Sequence, residues 1–307
     1  MQRLRDERGA VAVMVGLLMV PLIGFAAFAI DVAAMWSERQ QLQTAADAGA
    51  LAVAQDCARG TCGDTAGTTR SLAEENVNGD QPKPTGTVEA LTTSMVRVGT
   101  SRVKKHWFAP VLGIDQSEIS AQATAKWGAP VGGATFPLTF SWCEWNAQTG
   151  GLESTHEQII QLSKHSGSDC TGPSGLPLPG GFGWVNPNAG ACTEASIIGN
   201  ILNSDTGNNP PSGCEPSDFD DLVGKVILIP IFDQATGSGS HGEYRAYGYA
   251  AFKFTGYYFS GTYKGTQICS GNQRCISGYF TRYVDLNEVL DIGPGPQLGA
   301  SIVTLTD

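Results

Sequence analysis

Basic residues are scarce in this chain. Lys and Arg total 19 against 29 Asp and Glu, a net charge of −10. That excludes nucleic acid as a partner, because phosphate binding needs clustered Lys and Arg. Charge of either sign is thin at 16%, below the quarter or so of an ordinary soluble domain. Histidine is limited to His106, His156, His165 and His241. No cysteine occurs before Cys57, and no charged residue interrupts Ala10 to Ile30.

Catalytic motifs are lacking too. "HEQII" at His156 opens like a zincin helix, but Ile160 stands where the second His belongs. "GSGSHG" at Gly237 to Gly242 reads as a glycine-rich turn, with Ser240 and His241 chance neighbours rather than a nucleophile elbow. There is no phosphate-binding P-loop and no dinucleotide fingerprint. "DFDD" at Asp218 to Asp221 offers carboxylates for Ca²⁺, yet without the spaced oxygens and turn Gly of a calcium loop, so it reads as a solvated acidic turn. The expectation is a protein that is not an enzyme, with no catalytic residue, cofactor or metal.

What is present begins with the 21 uncharged residues from Ala10 to Ile30, eleven of them Leu, Ile, Val or Phe. As a helix they reach about 31 Å, the thickness of a bilayer's hydrocarbon core. Arg3, Arg5 and Arg8 precede the run and Asp31 closes it, with only Arg39 soon after. This bias predicts a cytoplasmic N-terminus and a single-pass cell-membrane protein whose C-terminal bulk is extracytoplasmic. A cleaved signal peptide is the competing reading, since Ala27-Phe28-Ala29 offers a cleavage site. The run exceeds a usual signal core, however, and helical sequence continues past the site.

From Asp31 to Ala54 no Pro breaks the pattern. Met35, Leu42, Ala45, Ala46, Gly49, Ala52 and Val53 recur at steps of three, four or seven, a narrow apolar seam. Small residues pair at four-residue spacing inside the apolar run (Ala12 with Gly16) and beyond it (Ala45 with Gly49, Ala46 with Ala50). The seam predicts close packing against another element.

The stretch "ERGAVAVMVGLLMVPLIGFAAFAIDVAAMWSERQQLQTAADAGALAVAQ", Glu7 to Gln55, resembles the TadE/TadG-like proteins of tight-adherence (Flp) pilus assembly. The likeness rests on Arg8-Gly9-Ala10, Pro21, Asp31, Arg39, Leu42-Gln43 and Ala45-Ala46-Asp47-Ala48, and continues more weakly through "HWFAPVLGI" and "EISAQATAKW". It implies a membrane-anchored component of a pilus-assembly or secretion system, working by helix packing and protein contacts. Implied partners are the membrane, other assembly proteins or pseudopilins, and further copies of the chain. Prepilin processing is not expected, because Met14 stands where a pilin cut after Gly9 would carry Glu. Asp115-Gln116-Ser117-Glu118-Ile119 fails the metal motif of longer relatives at its last position.

All eight cysteines, Cys57, Cys62, Cys143, Cys170, Cys192, Cys214, Cys269 and Cys275, follow the apolar run. An even count on an oxidising side reads as disulfides. Cys57–Cys62 and Cys269–Cys275 are local clips; the other four admit three pairings. Zinc is disfavoured by the lack of C-x-x-C or paired His.

The predicted fold is α+β: a cytoplasmic tail 1–9, a transmembrane helix 10–30, a Tad-like α+β region 31–128 and a β-rich domain 129–307, with the boundary at Gly128 to Gly133. Thr87 to Gly99 reads as one strand. Ser101 to Gly113 reads as a helix capped by Ser101 and interrupted by Pro110, with Val103, Trp107 and Val111 on a core face and Lys104 and Lys105 solvated. Glu118 to Trp127 reads as a strand. "GPSGLPLPGGFGW", Gly172 to Trp184, excludes helix and regular strand. Gly224–Asp233, Tyr244–Phe259 and Ile276–Leu286 read as one antiparallel sheet. The aromatics from Tyr244 to Tyr263 read as core; the alternative is an adhesive face for a surface glycan, with Tyr247 and Tyr249 in it.

Overall fold

The computed structural model describes residues 8–79, 82–151, 154, 156–162, 170–187, 191–205, 209–237, 242–285 and 290–306. They form two compact units. The first comprises Met1–Ala54, Gly63–Ala125 and Leu305–Asp307; the second, Gln55–Cys62 and Lys126–Thr304.

The first unit is built on helix α1, Arg8–Ala58, as far as Ala54; the helix carries Pro21 inside it. Helix α2, Thr65–Asn76, starts at Asp64, whose side chain accepts from the Gly67 N–H at 2.9 Å. Strands β1, Thr85–Leu91, and β2, Met95–Lys105, make an antiparallel hairpin. The single strand expected over Thr87 to Gly99 is thus two. They turn at Thr92–Ser94, where the Thr92 hydroxyl accepts from the Ser94 N–H.

The helix expected over Ser101–Gly113 is a correction as well. Val96, Val98, Thr100 and Arg102 are all buried, and this two-residue alternation continues β2 to Lys105. Ser101 lies in that strand and bonds the Thr85 hydroxyl. Only a 3₁₀ turn, Ala109–Leu112, follows, with Pro at its start and Gly113 at φ +82° closing it. Trp107 and Val111 are 73% and 90% exposed, so they are not core.

Strand β3, Gln116–Thr135, is third in the sheet order β1-β2-β3 and contains the expected strand over Glu118 to Trp127. It runs unbroken through Gly128 to Gly133, and the units divide between Ala125 and Lys126. Ile119, Ala121, Ala123 and Ala125 alternate on its buried face.

In the second unit the later half of β3 is followed by β4, Leu138–Ser141, helix α3, Trp142–Thr149, and β5, Gln158–Gln161. Three short strands come next: β6, Phe182–Trp184, β7, Glu194–Ile197, and β8, Ile201–Asn203. The first places Phe182-Gly183-Trp184 in regular strand, contrary to expectation, because β4 pairs antiparallel with it and buries both aromatics. Helix α4, Pro216–Asp220, leads into the long strands β9, Val226–Thr236, β10, Glu243–Tyr258, and β11, Cys275–Thr281. These three are antiparallel, as expected, in a sheet ordered β5-β11-β10-β9-β4-β6.

The third expected strand ends early. Ala251 pairs with Thr281, and the next position, Ala250, bridges Leu298 and Gly299. With that edge taken, Tyr283–Asp285 forms a separate strand, β12, parallel to β14, Ala300–Thr306. Strand β13, Leu290–Gly293, and β7 both pair antiparallel with the later half of β3.

The core of the second unit is aromatic. Phe140, Phe182, Trp184, Phe219, Phe252, Phe254, Tyr257, Phe259 and Phe280 are all buried in one cluster. Edge-to-face pairs recur, such as Trp184–Phe219 at 5.9 Å and Phe140–Phe280 at 5.2 Å. Such geometry suits ring quadrupoles and adds about 0.5–1.5 kcal/mol per pair beyond area burial.

Candidate functional site

Helix α1 is one element with two surfaces. Its N-terminal part is long and apolar enough to cross a membrane, and none of that apolar stretch is buried. Leu17, Val20 and Phe25 are each more than 70% exposed. The mixed α+β chain therefore presents a bilayer-length apolar surface that its own sheets leave uncovered.

At Asp31 the surface changes. This first charge after the run is buried, and its carboxylate accepts three backbone N–H groups: Trp107 at 2.9 Å, Phe108 at 3.0 Å and Ala109 at 2.7 Å. These are the orphan donors ahead of the 3₁₀ turn. Two turns on, Glu38 is buried and accepts from Arg102 and Lys104, each at 2.9 Å. Arg102 also donates to the Asn78 carbonyl at 2.6 Å. Lys104, read from sequence as solvated, is therefore a partner of a buried carboxylate; Lys105 is exposed.

Beyond Glu38 lies the seam. Leu42, Ala45, Ala46, Ala50 and Val53 have no exposed surface, and Gly49 is buried. A Cβ on Gly49 would sit 3.3 Å from Val98 and 3.6 Å from Thr69. The Thr100 hydroxyl donates to the Leu42 carbonyl at 2.9 Å. Leu42 and Ala45 pack with Val77, Ile119 and Ala121. The seam's close partner is thus the chain's own sheet and α2. Small residues on both surfaces, Ala45 against Ala121, let helix and strands approach closely. Ala12 and Gly16 remain exposed, and a Cβ on Gly16 would meet nothing within 4 Å.

All eight cysteines are paired: Cys57–Cys62, Cys143–Cys170, Cys192–Cys214 and Cys269–Cys275. Both local clips form, and the three-way ambiguity among the other four falls to nearest-neighbour pairing. Cys192, Cys214 and Asp218 gather their ligand atoms within 4.8 Å. Both sulfurs are spent in one disulfide, so the cluster offers no thiolate to a cation.

The remaining sequence candidates are dispersed. Ile160 is core and lies with Gln158 on a strand rather than a zincin helix, while Glu157 accepts from Thr255. His106 bonds Ser117 at 2.8 Å. His165, Ser240 and His241 lie outside the described residues. The acidic turn is a short helix: Asp218 accepts from the Glu215 N–H in a capping box, and Asp220 accepts from the Tyr257 hydroxyl at 2.7 Å. Burial first, and then the bond to Asp220 and its charge, push the Tyr257 phenol up to about 12. Tyr249 is fully buried and donates to the Ser196 carbonyl at 2.7 Å, which removes it from any ligand face. Tyr247 is partly buried against the same core.

Sequence reasoning missed the Asp31 and Glu38 contacts, because each joins residues more than sixty positions apart. A usable signal was the combination of Asp31, at the first polar position after an apolar run, with the Pro110 and Gly113 turn residues. Neither a curated protein nor a solved structure matches the chain. Residues 9–56, which hold both the exposed apolar surface and the buried seam of α1, match the family described as putative Flp pilus-assembly TadE/G-like.

Proposed function

We propose that this protein is a membrane-anchored envelope component of a tight-adherence pilus-assembly or secretion system, with a cytoplasmic N-terminus and its bulk outside. It acts by contact rather than catalysis. The observation that carries this reading is the division of α1: from Asp31 onward its small-residue face is consumed within the chain, while Val11 to Ile30 is exposed at every position but the half-buried Ala27. That exposed length suits lipid and other membrane helices. The family match over residues 9–56 supplies the pilus context. Arg3, Arg5 and Arg8 ahead of the run support the orientation.

Within lipid, helices associate through small residues that let backbones approach. Ala12 and Gly16 supply that spacing on a free surface, so they are the contact to sister helices. The aromatic residues that could have favoured a glycan-binding role are largely core. Photo-crosslinkers placed at Ala12 and Gly16 in cell membranes test the reading. Adducts with other assembly proteins or a second copy support it; recovery of the monomer alone contradicts it.

A further inference from the structure

The first unit carries a second exposed apolar feature. Trp107, Phe108, Val111, Leu112 and Ile114 are 73, 43, 90, 76 and 52% exposed. Five large apolar side chains in eight residues are more than a solvated turn carries singly. Val111 is more exposed than any large apolar residue of the α1 run.

The position of this segment on α1 is fixed. Asp31 holds the N–H groups of Trp107, Phe108 and Ala109. From there the turn lies along the apolar run: Phe108, Ala109, Val111 and Leu112 share a groove with Ile23, Ala27 and Phe28. Ile23 precedes Asp31 by eight residues, about 12 Å of helix. The turn therefore lies beside the stretch read as bilayer-spanning. Two exposed tryptophans flank this point: Trp107, whose backbone N–H donates to Asp31, and Trp36, five residues past Asp31 on α1; Lys105 and Arg39 are exposed farther from it. Trp and basic residues are those that favour the headgroup layer.

The backbone fits the same environment. Lipid accepts irregular structure only where its polar groups are satisfied internally. The N–H of His106 donates to Asp115, that of Val111 to Phe108, that of Gly113 to Pro110 and that of Ile114 to Ala109. Asp31 takes three more, and Pro110 has none to satisfy.

We propose that Trp107–Ile114 is a second, non-spanning membrane contact. It inserts into the acyl chains of the leaflet where α1 leaves the bilayer, and so fixes the tilt and rotation of the first unit on the membrane. This rests on the reading of α1 as the anchor. The occupant is lipid, argued from continuity with the apolar run, from the exposed side chains and from the backbone N–H groups that are satisfied internally.

Spin labels test it in the full chain, reconstituted into phosphatidylcholine–phosphatidylglycerol vesicles. No native cysteine is free, so one added cysteine reports alone. Labels go at Val111→Cys, at Leu18→Cys as a mid-anchor reference and at Thr93→Cys on the exposed β1–β2 turn. The expected result is that collision with a water-soluble nickel chelate is about tenfold lower at 111 than at 93, approaching the value at 18, because polar solutes partition poorly into hydrocarbon. An aqueous label at 111 beside a lipid-buried label at 18 overturns the proposal and leaves the anchor standing. Aqueous labels at both positions overturn the anchor reading and this proposal together.

Discussion

Arg102 donates to Glu38 across 2.9 Å, with the two side chains 5% and 3% exposed. The pair ties the later part of β2 to α1 two turns past Asp31. Removing one partner strands the other charge in a dry site, which typically costs about 3–5 kcal/mol. Glu38→Ala should therefore destabilise the first unit by that amount. The double variant Glu38→Leu, Arg102→Met should recover most of it, as read by denaturant unfolding in detergent micelles.

Gly86 makes a steric prediction. A Cβ there would lie 2.2 Å from the Thr69 carbonyl oxygen, where α2 crosses β1. Neither backbone can yield without moving an element, so Gly86→Ala should cost about 1–3 kcal/mol. Gly16→Ala is the control: it meets open space and gains helix propensity, so thermal unfolding of the two units should not change.

The two longer disulfides close loops with separations of 27 and 22 residues. Chain-entropy arguments give each about 3–4 kcal/mol. Peptide mapping without reduction should recover Cys143 with Cys170 and Cys192 with Cys214. Replacing either pair by serine should lower the denaturation midpoint of the second unit.

Alkaline pH should also weaken the second unit. Tyr257 is raised from 10.0 to about 12 by burial and by Asp220, so folding favours its neutral phenol. The folded-state value lies above the unfolded one. Its contribution is therefore fully present below pH 10 and lost as pH climbs from about 10 to about 12. Tyr257→Phe should flatten the pH dependence of unfolding in that window while lowering stability at pH 7 through the lost bond to Asp220.

Legibility followed the range of the interactions. The apolar run, the seam and the long strands β9 and β10 declare themselves by local periodicity, and the structure holds each where that periodicity puts it. Ser101 to Gly113 misled because Val103, Trp107 and Val111 also sit four apart. The alternate burial of Val96, Val98, Thr100 and Arg102 and the pairing with β1 distinguish a strand there. The disulfide pairing and the Asp31 and Glu38 contacts depend on which distant segments meet, and one sequence carries no direct record of that. The seam was legible as a packing surface, but not that its partner would be the chain's own sheet. Val103, Trp107 and Val111 read as a core face because apolar residues at that spacing usually are, yet Trp107 and Val111 are exposed.

The most direct test of the account is whether α1 stays whole and in the membrane. Alkaline carbonate extraction of cell membranes, followed by intact-mass analysis, measures both at once. The account predicts a sedimenting protein that retains the apolar run from Ala10 to Ile30 with all four disulfides formed. A soluble product beginning near Ile30 would contradict it.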